Sequence, residues 1–219
     1  MKGVVYMKCR EPINSITHLI GIVLSLLALA LLLMSTINHF SYENLISSIV
    51  FSFGLIGLYT ASTVYHWKIA SIEKLEFLRK IDHIMIYVLI ASTYTPICLI
   101  TLKGFLGYLL LGIVWSLALV GIILKIFWMN APRWLSTGFY LLLGWISIFF
   151  IYPISKALPA PAITLLVLGG VMYSVGAIIY GKKSEKCKIG KFGFHEIFHV
   201  FILLGSFFHF IMIFRYIIV

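Results

Sequence analysis

Charge is scarce in this chain. Only 11% of its 219 residues are Asp, Glu, Lys or Arg, against about a quarter in soluble domains. The little charge present is lopsided, with 17 Lys and Arg against 7 Asp and Glu. No stretch is long and polar enough to make a second, soluble domain, so residues 1–219 read as a single domain. Cysteine is sparse too. Cys9, Cys98 and Cys187 lie far apart and share no metal-ligand spacing, which argues against a disulfide framework and for small buried or free thiols. Apolar side chains fill the rest. The chain is 62% hydrophobic with a mean hydropathy of +1.07, the composition of a polypeptide that lives in a bilayer.

A helix needs roughly 20 apolar residues to cross the hydrocarbon core. Seven runs qualify, at about 16–37, 45–66, 81–102, 106–127, 135–154, 162–180 and 194–219. The expectation is an all-α, integral membrane bundle of seven transmembrane helices with short linkers. The basic start and the small-x-small step Ala28-Leu29-Ala30 suggest a secretory signal. That step, however, lies inside the first apolar run, with Leu31, Leu32 and Leu33 straight after it. The segment therefore reads as a retained membrane helix.

Lys and Arg placement sets the orientation. All of the 17 cationic residues except Lys103, Lys156 and Arg215 fall at the amino terminus, after span 2, around the end of span 4, or after span 6. Lys2, Lys8, Lys186 and Lys191 are among them. This predicts a cytoplasmic amino terminus and a carboxyl terminus outside. It also explains the net charge of +10 without nucleic acid, for which no polar domain is present. Anionic lipid headgroups add a second reason for the basic loops.

Ionisable residues at membrane depth are costly and usually functional. Here they gather at one depth. Glu11, Asn14, Thr17 and His18 stand at the cytoplasmic start of span 1, Ser62 and His66 at the end of span 2, Asp82 and His83 at the start of span 3, and His195 and His199 at the start of span 7. The last pair is spaced i, i+4, about 6 Å along a helix axis and about 40° around it, so both imidazoles can reach one ion. With His66 they make three histidines and an open fourth position, a catalytic zinc arrangement rather than a closed structural one. Ser62, one turn before His66, is placed to support His66 or a water in the open position. Asp82 is placed to orient or deprotonate that water. Simpler roles compete with each assignment. Asp82 can pair with Arg79, Lys80 or His83, Ser62 can bond its own helix, and Asn14 can cap span 1. His39 falls in the outer loop. His209 lies too far down span 7 to join the same ion and reads as structural. Glu43, Glu73, Glu76 and Glu185 read as solvated loop charges. The glycines from Gly54 to Gly57 and at Gly169-Gly170 read as packing faces.

Taken in order, the motifs Glu11-x-x-Asn14-x-x-Thr17-His18, Ser62-x-x-x-His66 with Asp82 on the next helix, and His195-x-x-x-His199 resemble those of the hemolysin III family. That family lies within the progestin and adiponectin receptor superfamily. The resemblance runs from residue 11 to about 210. It implies zinc (Zn2+) on His66, His195 and His199, with Asp82 and Ser62 beside the attacking water. Glu11, Asn14, Thr17 and His18 are the supporting motif. Adiponectin receptors and the more distant alkaline ceramidases imply zinc-dependent hydrolysis of lipid amides such as ceramide, hence membrane lipids as substrate or ligand and a part in lipid homeostasis. The family name implies cytolysis.

His195-Glu196-Ile197-Phe198-His199 also spells H-E-x-x-H, the zinc and general-base pattern of metalloproteases. An intramembrane protease would take Asp82 as its third ligand and leave His66 without a role, so the three-histidine lipid hydrolase ranks first. A lipid-sensing receptor with structural zinc and a pore-forming cytolysin are the alternatives.

Overall fold

The computed structural model describes residues 9–183, 188–190 and 192–218. Cys187, Glu185 and the topological lysines Lys2, Lys8, Lys186 and Lys191 lie outside the described residues. The helices are α1 (Pro12–Asn38), α2 (Tyr42–Trp67), α3 (Ile72–Pro96), α4 (Gly104–Phe127), α5 (Arg133–Trp145), α6 (Ile151–Ala157), α7 (Ala160–Lys182) and α8 (Phe194–Tyr216). α3 runs on as a π-helical turn over Ile97–Leu102, and a 3-10 segment, Ile146–Phe150, joins α5 to α6. Counting α3 with its π turn, and α5 to α6, as single spans, seven helical spans of 23 to 31 residues are long and apolar enough to cross a bilayer. Among the described residues the only β-type pairing is an isolated bridge between Ile189 and Phe192.

The expected spans all form, and several ends differ for physical reasons. α1 starts at Pro12 rather than at 16, because proline, with its fixed φ and no N–H, suits the first helical position. Glu11 takes the cap position, so Asn14 sits inside the first turn and is not the cap. α3 starts at Ile72, nine residues before the expected 81. Hydropathy marks the hydrocarbon-crossing part, whereas helical hydrogen bonding continues through the polar first turns. Glu43 and Glu73 fall in the first turns of α2 and α3, where a carboxylate complements the helix dipole. Together with Glu76 they are exposed helical residues rather than loop charges.

Two breaks shape the interior. Pro96 closes α3 and the wider π turn follows it, since proline removes an i→i−4 bond and crowds the preceding turn. The fifth span changes to 3-10 geometry after Trp145. There the Tyr94 hydroxyl donates to Gly144 O at 2.6 Å and accepts from Ser147 N–H at 3.1 Å. Backbone groups freed inside a bilayer must find such partners.

α1 packs against α2 and α8, α2 against α3, α3 against α4, and α7 against α8 and α5. One buried cluster joins α1, α2 and α8 through Leu32, Phe51, Leu55, Met212 and Ile213. A second joins α3, α4 and α5 through Tyr87, Ala91, Leu110, Val114 and Leu143. Large apolar side chains such as Val23, Leu27, Met34, Phe105 and Leu119 point outward, as lipid contact requires. Helices approach closely where glycine allows. A Cβ on Gly54 would strike Ser92, with the Leu89 Cα only 3.3 Å away, so α2 and α3 meet nearly backbone to backbone.

Candidate metal centre

The site begins where the chain enters α1. The last carbonyls of a helix have no intrahelical partner. Those of His66 and Trp67, at the end of α2, accept from Glu11 N–H at 3.1 Å and Arg10 N–H at 3.3 Å. This main-chain pairing lays residues 10–11 along the end of α2 and carries the Glu11 carboxylate onto the His66 ring. His66 Nδ1 donates to Glu11 Oε2 at 2.5 Å. Arg10 Nε lies 3.2 Å from the other carboxylate oxygen, and Asn14 Nδ2 donates to Oε2 at 3.3 Å. The Arg10 guanidinium is itself held over the Tyr65 ring, 4.4 Å from its centroid. The His66 hydrogen bond, more than any other contact, holds the Glu11 carboxyl well below the usual range, at about 2, against the opposing pull of partial burial. Glu11 is therefore a full anion at neutral pH.

His66, His195 and His199 each offer a ring nitrogen to one group whose atoms lie within 4.8 Å of one another. Their ring centroids are 4.7 to 5.1 Å apart. The orientation of two of them follows from their partners. With Nδ1 of His66 engaged by a carboxylate, Nε2 is the ring nitrogen left over, and it is buried without a hydrogen-bond partner among the described residues. Thr17 Oγ1 donates to Asn14 O at 2.9 Å, so its lone pairs accept from His199 Nδ1–H at 3.1 Å. His199 Nε2 is then the free nitrogen as well. Buried imidazole nitrogens without partners are costly, and a metal ion at their centre removes that cost. Three imidazoles, two of them with Nδ1 engaged by a neighbour, are a donor set that fits a metal ion.

The remaining motif residues fall around this group. His18 stacks on His199, with centroids 3.6 Å apart and planes 13° from parallel, and meets the Tyr59 ring edge-on at 5.1 Å. It fixes the plane of the His199 ring from behind. Ser62 and Asp82 line the same cavity as the three histidines. Asp82, the only aspartate in the chain, makes no close ion pair among the described residues, and Arg79 lines the same cavity. Lys80 turns away to donate to Ile126 O. Glu196 turns back on its own helix, where its carboxylate accepts from Gly193 N–H at 2.9 Å and satisfies an open donor at the start of α8. It caps that helix, so the glutamate of H-E-x-x-H is not aimed at the histidines. Cys9 and Cys98 are free thiols, as expected.

The cavity that opens beside the histidines has a volume of about 380 Å3 and is lined by side chains of α2, α3, α5, α7 and α8; most of its surface is apolar, although polar side chains outnumber apolar ones along the wall. Arg133, Tyr140 and Trp145 of α5 and Tyr180 of α7 contribute to its wall. No sequence signal marks these four. Isolated Tyr and Trp residues near span ends read as interfacial anchors, and no spacing ties them to the histidines.

Seven apolar spans enclosing a buried histidine cluster beside an apolar chamber define a multi-pass integral membrane protein with a site able to hold a metal ion. The sequence profile of the family described as "Haemolysin-III related" matches residues 6–210, and the chain belongs to that family. It is 44% identical over 197 residues to the "Hemolysin-3 homolog" of Bacillus subtilis (strain 168), covering 90% of this chain and 89% of that protein. Identity to the "Hemolysin-3" of Bacillus cereus is 41% over 197 residues, covering 90% and 86%. Identity to the human "Monocyte to macrophage differentiation factor" is 26% over 208 residues, covering 93% and 82%. The architecture and the bacterial relatives place the protein in a bacterial membrane.

Because Glu11 orients His66 through its Nδ1, Glu11→Gln is expected to weaken metal affinity by roughly 10- to 100-fold while all three imidazoles remain. Competition for zinc against a chelator of known affinity measures this directly. An unchanged affinity would show that Glu11 serves only to dock α1.

Proposed function

We propose that this protein is a zinc-dependent hydrolase of lipid amide or ester bonds, serving membrane lipid homeostasis. Its site lies toward the cytoplasmic face, with the amino terminus inside and the carboxyl terminus outside. The observation that carries this reading is the convergence of His66, His195 and His199 on the wall of an apolar cavity. Their supporting contacts engage the Nδ1 atoms of His66 and His199 and leave the Nε2 atoms for a metal ion. The Lys and Arg distribution supports the orientation.

His66, His195 and His199 would hold the zinc, which when bound would supply Lewis acidity toward a carbonyl and toward water. The chain's own groups do the rest. Asp82 takes the proton from the attacking water at a carboxylate oxygen and returns it to the departing amine or alkoxide. Ser62, fixed on α2 one turn before His66, orients that water with its hydroxyl. Glu11 and Thr17 hold the His66 and His199 rings in place, and the cavity walls keep bulk water from the lipid tail.

The test is release of fatty acid from a panel of ceramides, N-acyl amines, lysolipids and phospholipids in mixed micelles, with and without chelator. Chelator-sensitive turnover of any class supports the proposal. Full zinc occupancy with no turnover across the panel overturns it and favours a lipid-sensing receptor in which zinc is structural. The printed name of the Bacillus cereus relative, Hemolysin-3, favours a further reading as a cytolysin. Dye release from liposomes by purified protein tests that reading.

A further inference from the structure

His209 lies ten residues beyond His199 on α8, about 15 Å farther along the axis. It lines the same cavity as the metal centre, is buried, and is not a candidate ligand. Its Nε2 lies 3.2 Å from Leu166 O on α7. A carbonyl only accepts, so Nε2 carries the proton and Nδ1 carries a lone pair. That Nδ1 is buried and has no hydrogen-bond partner among the described residues. The ring is admitted by Gly169, where a Cβ would strike it.

The other polar groups in this part of the wall are satisfied. The Tyr94 hydroxyl donates to Gly144 O, Trp145 Nε1–H donates to Ser174 Oγ, and the Ser174 hydroxyl donates to Gly170 O. The Thr93 hydroxyl donates to Leu89 O, and the Tyr173 hydroxyl pairs with Ser206 Oγ. Among these groups only His209 keeps an unpartnered atom, in a chamber whose surface is mostly apolar; the cavity's other unpartnered atoms belong to His18, His66 and Thr137. A buried acceptor without a donor is destabilising, and a packing residue in that position would be better served by leucine or phenylalanine.

We infer that the deep end of the chamber is a second binding subsite, at which His209 Nδ1 accepts a hydrogen bond from a hydroxyl carried part-way along the chain of a bound lipid. The ligand class is therefore a lipid with a mid-chain hydroxyl, its polar end at the metal centre and its hydroxyl about 15 Å away. The inference rests on the lipid-chamber part of the proposed function and not on its hydrolytic chemistry.

Displacement of a spin-labelled fatty acid from the purified, detergent-solubilised protein tests it. The competitors are stearic acid, stearic acid hydroxylated at carbon 12, and stearic acid hydroxylated at carbon 2. The 12-hydroxy acid is expected to displace the probe at about tenfold lower concentration than the other two, the scale of one buried hydrogen bond. His209→Gln keeps an N–H for Leu166 O and removes the Nδ1 acceptor. In that variant the preference is expected to vanish while stearic acid binds within about twofold of wild type. The comparison of competitors on the wild-type protein needs no variant, so a misfolded His209→Gln would not shield the inference. Equal displacement by all three acids in wild type overturns it and leaves water as the partner of Nδ1. A 12-hydroxy preference that survives in His209→Gln overturns it as well. Persistence of the preference in the His195→Ala protein supports it, because the subsite is then separate from the metal centre. No displacement by any fatty acid overturns it together with the lipid-chamber reading, whereas a zinc-loaded protein without turnover leaves it standing.

Discussion

Wild-type protein purified in mild detergent is expected to carry close to one zinc ion per chain, and His66→Ala, His195→Ala and His199→Ala are each expected to carry less than roughly a tenth of that. Elemental mass spectrometry of the folded, monodisperse preparations measures it. The expectation follows from geometry. Three nitrogens converge from two helices that are far apart in sequence, and two ligands hold zinc far more weakly than three. Glu196→Gln and His209→Gln serve as controls. Glu196 caps α8 and His209 bonds Leu166, so both variants are expected to keep their zinc. Loss of zinc in His195→Ala but not in His66→Ala would remove α2 from the site and return the H-E-x-x-H pattern to consideration as a protease. A folded wild-type preparation without metal would remove the hydrolase proposal altogether.

Asp82→Asn is expected to lower turnover by about 10^2- to 10^4-fold while zinc content stays at the wild-type level. Asp82 is the one carboxylate that borders the histidines without an ion-pair partner among the described residues. Asparagine keeps its size and hydrogen-bonding reach but takes no proton at neutral pH. The loss should fall on kcat more than on KM, since the carboxylate acts on water and not on the lipid tail. A variant that keeps zinc and loses turnover separates catalysis from a structural metal site. If zinc and turnover both persist, Asp82 is not the base, and the acid-base role passes to another group on the cavity wall.

Much of the site is legible in the order of the residues. Topology rests on Lys and Arg alone, yet it brings Glu11, His66, Asp82 and His195 to one depth, and costly polar groups at one depth point to a shared purpose. The i, i+4 spacing of His195 and His199 needs only helical geometry. Assignments that depend on rotation about a helix axis are harder to read. Glu196 stands next to His195 in sequence but turns back to Gly193, because the open N–H groups of a helix start compete for any nearby carboxylate. Asn14 looks like a cap but lies inside the first turn, because Pro12 starts the helix earlier.

The sequence by itself determined the membrane class, the number of spans and the identity of the three histidines, since hydropathy, charge placement and helical spacing are local properties that act over one helix at a time. Tertiary structure decided what those residues do to one another. The fit of Glu11 against His66 depends on two helix-end carbonyls finding donors across 55 residues of chain. The chamber behind the metal centre depends on α5 and α7, whose tyrosines and glycines carry no pattern of their own. The free nitrogen of His209 emerges only from the hydrogen bonds made along its wall. Such features arise from contacts between segments distant in sequence, and periodicity carries no record of them.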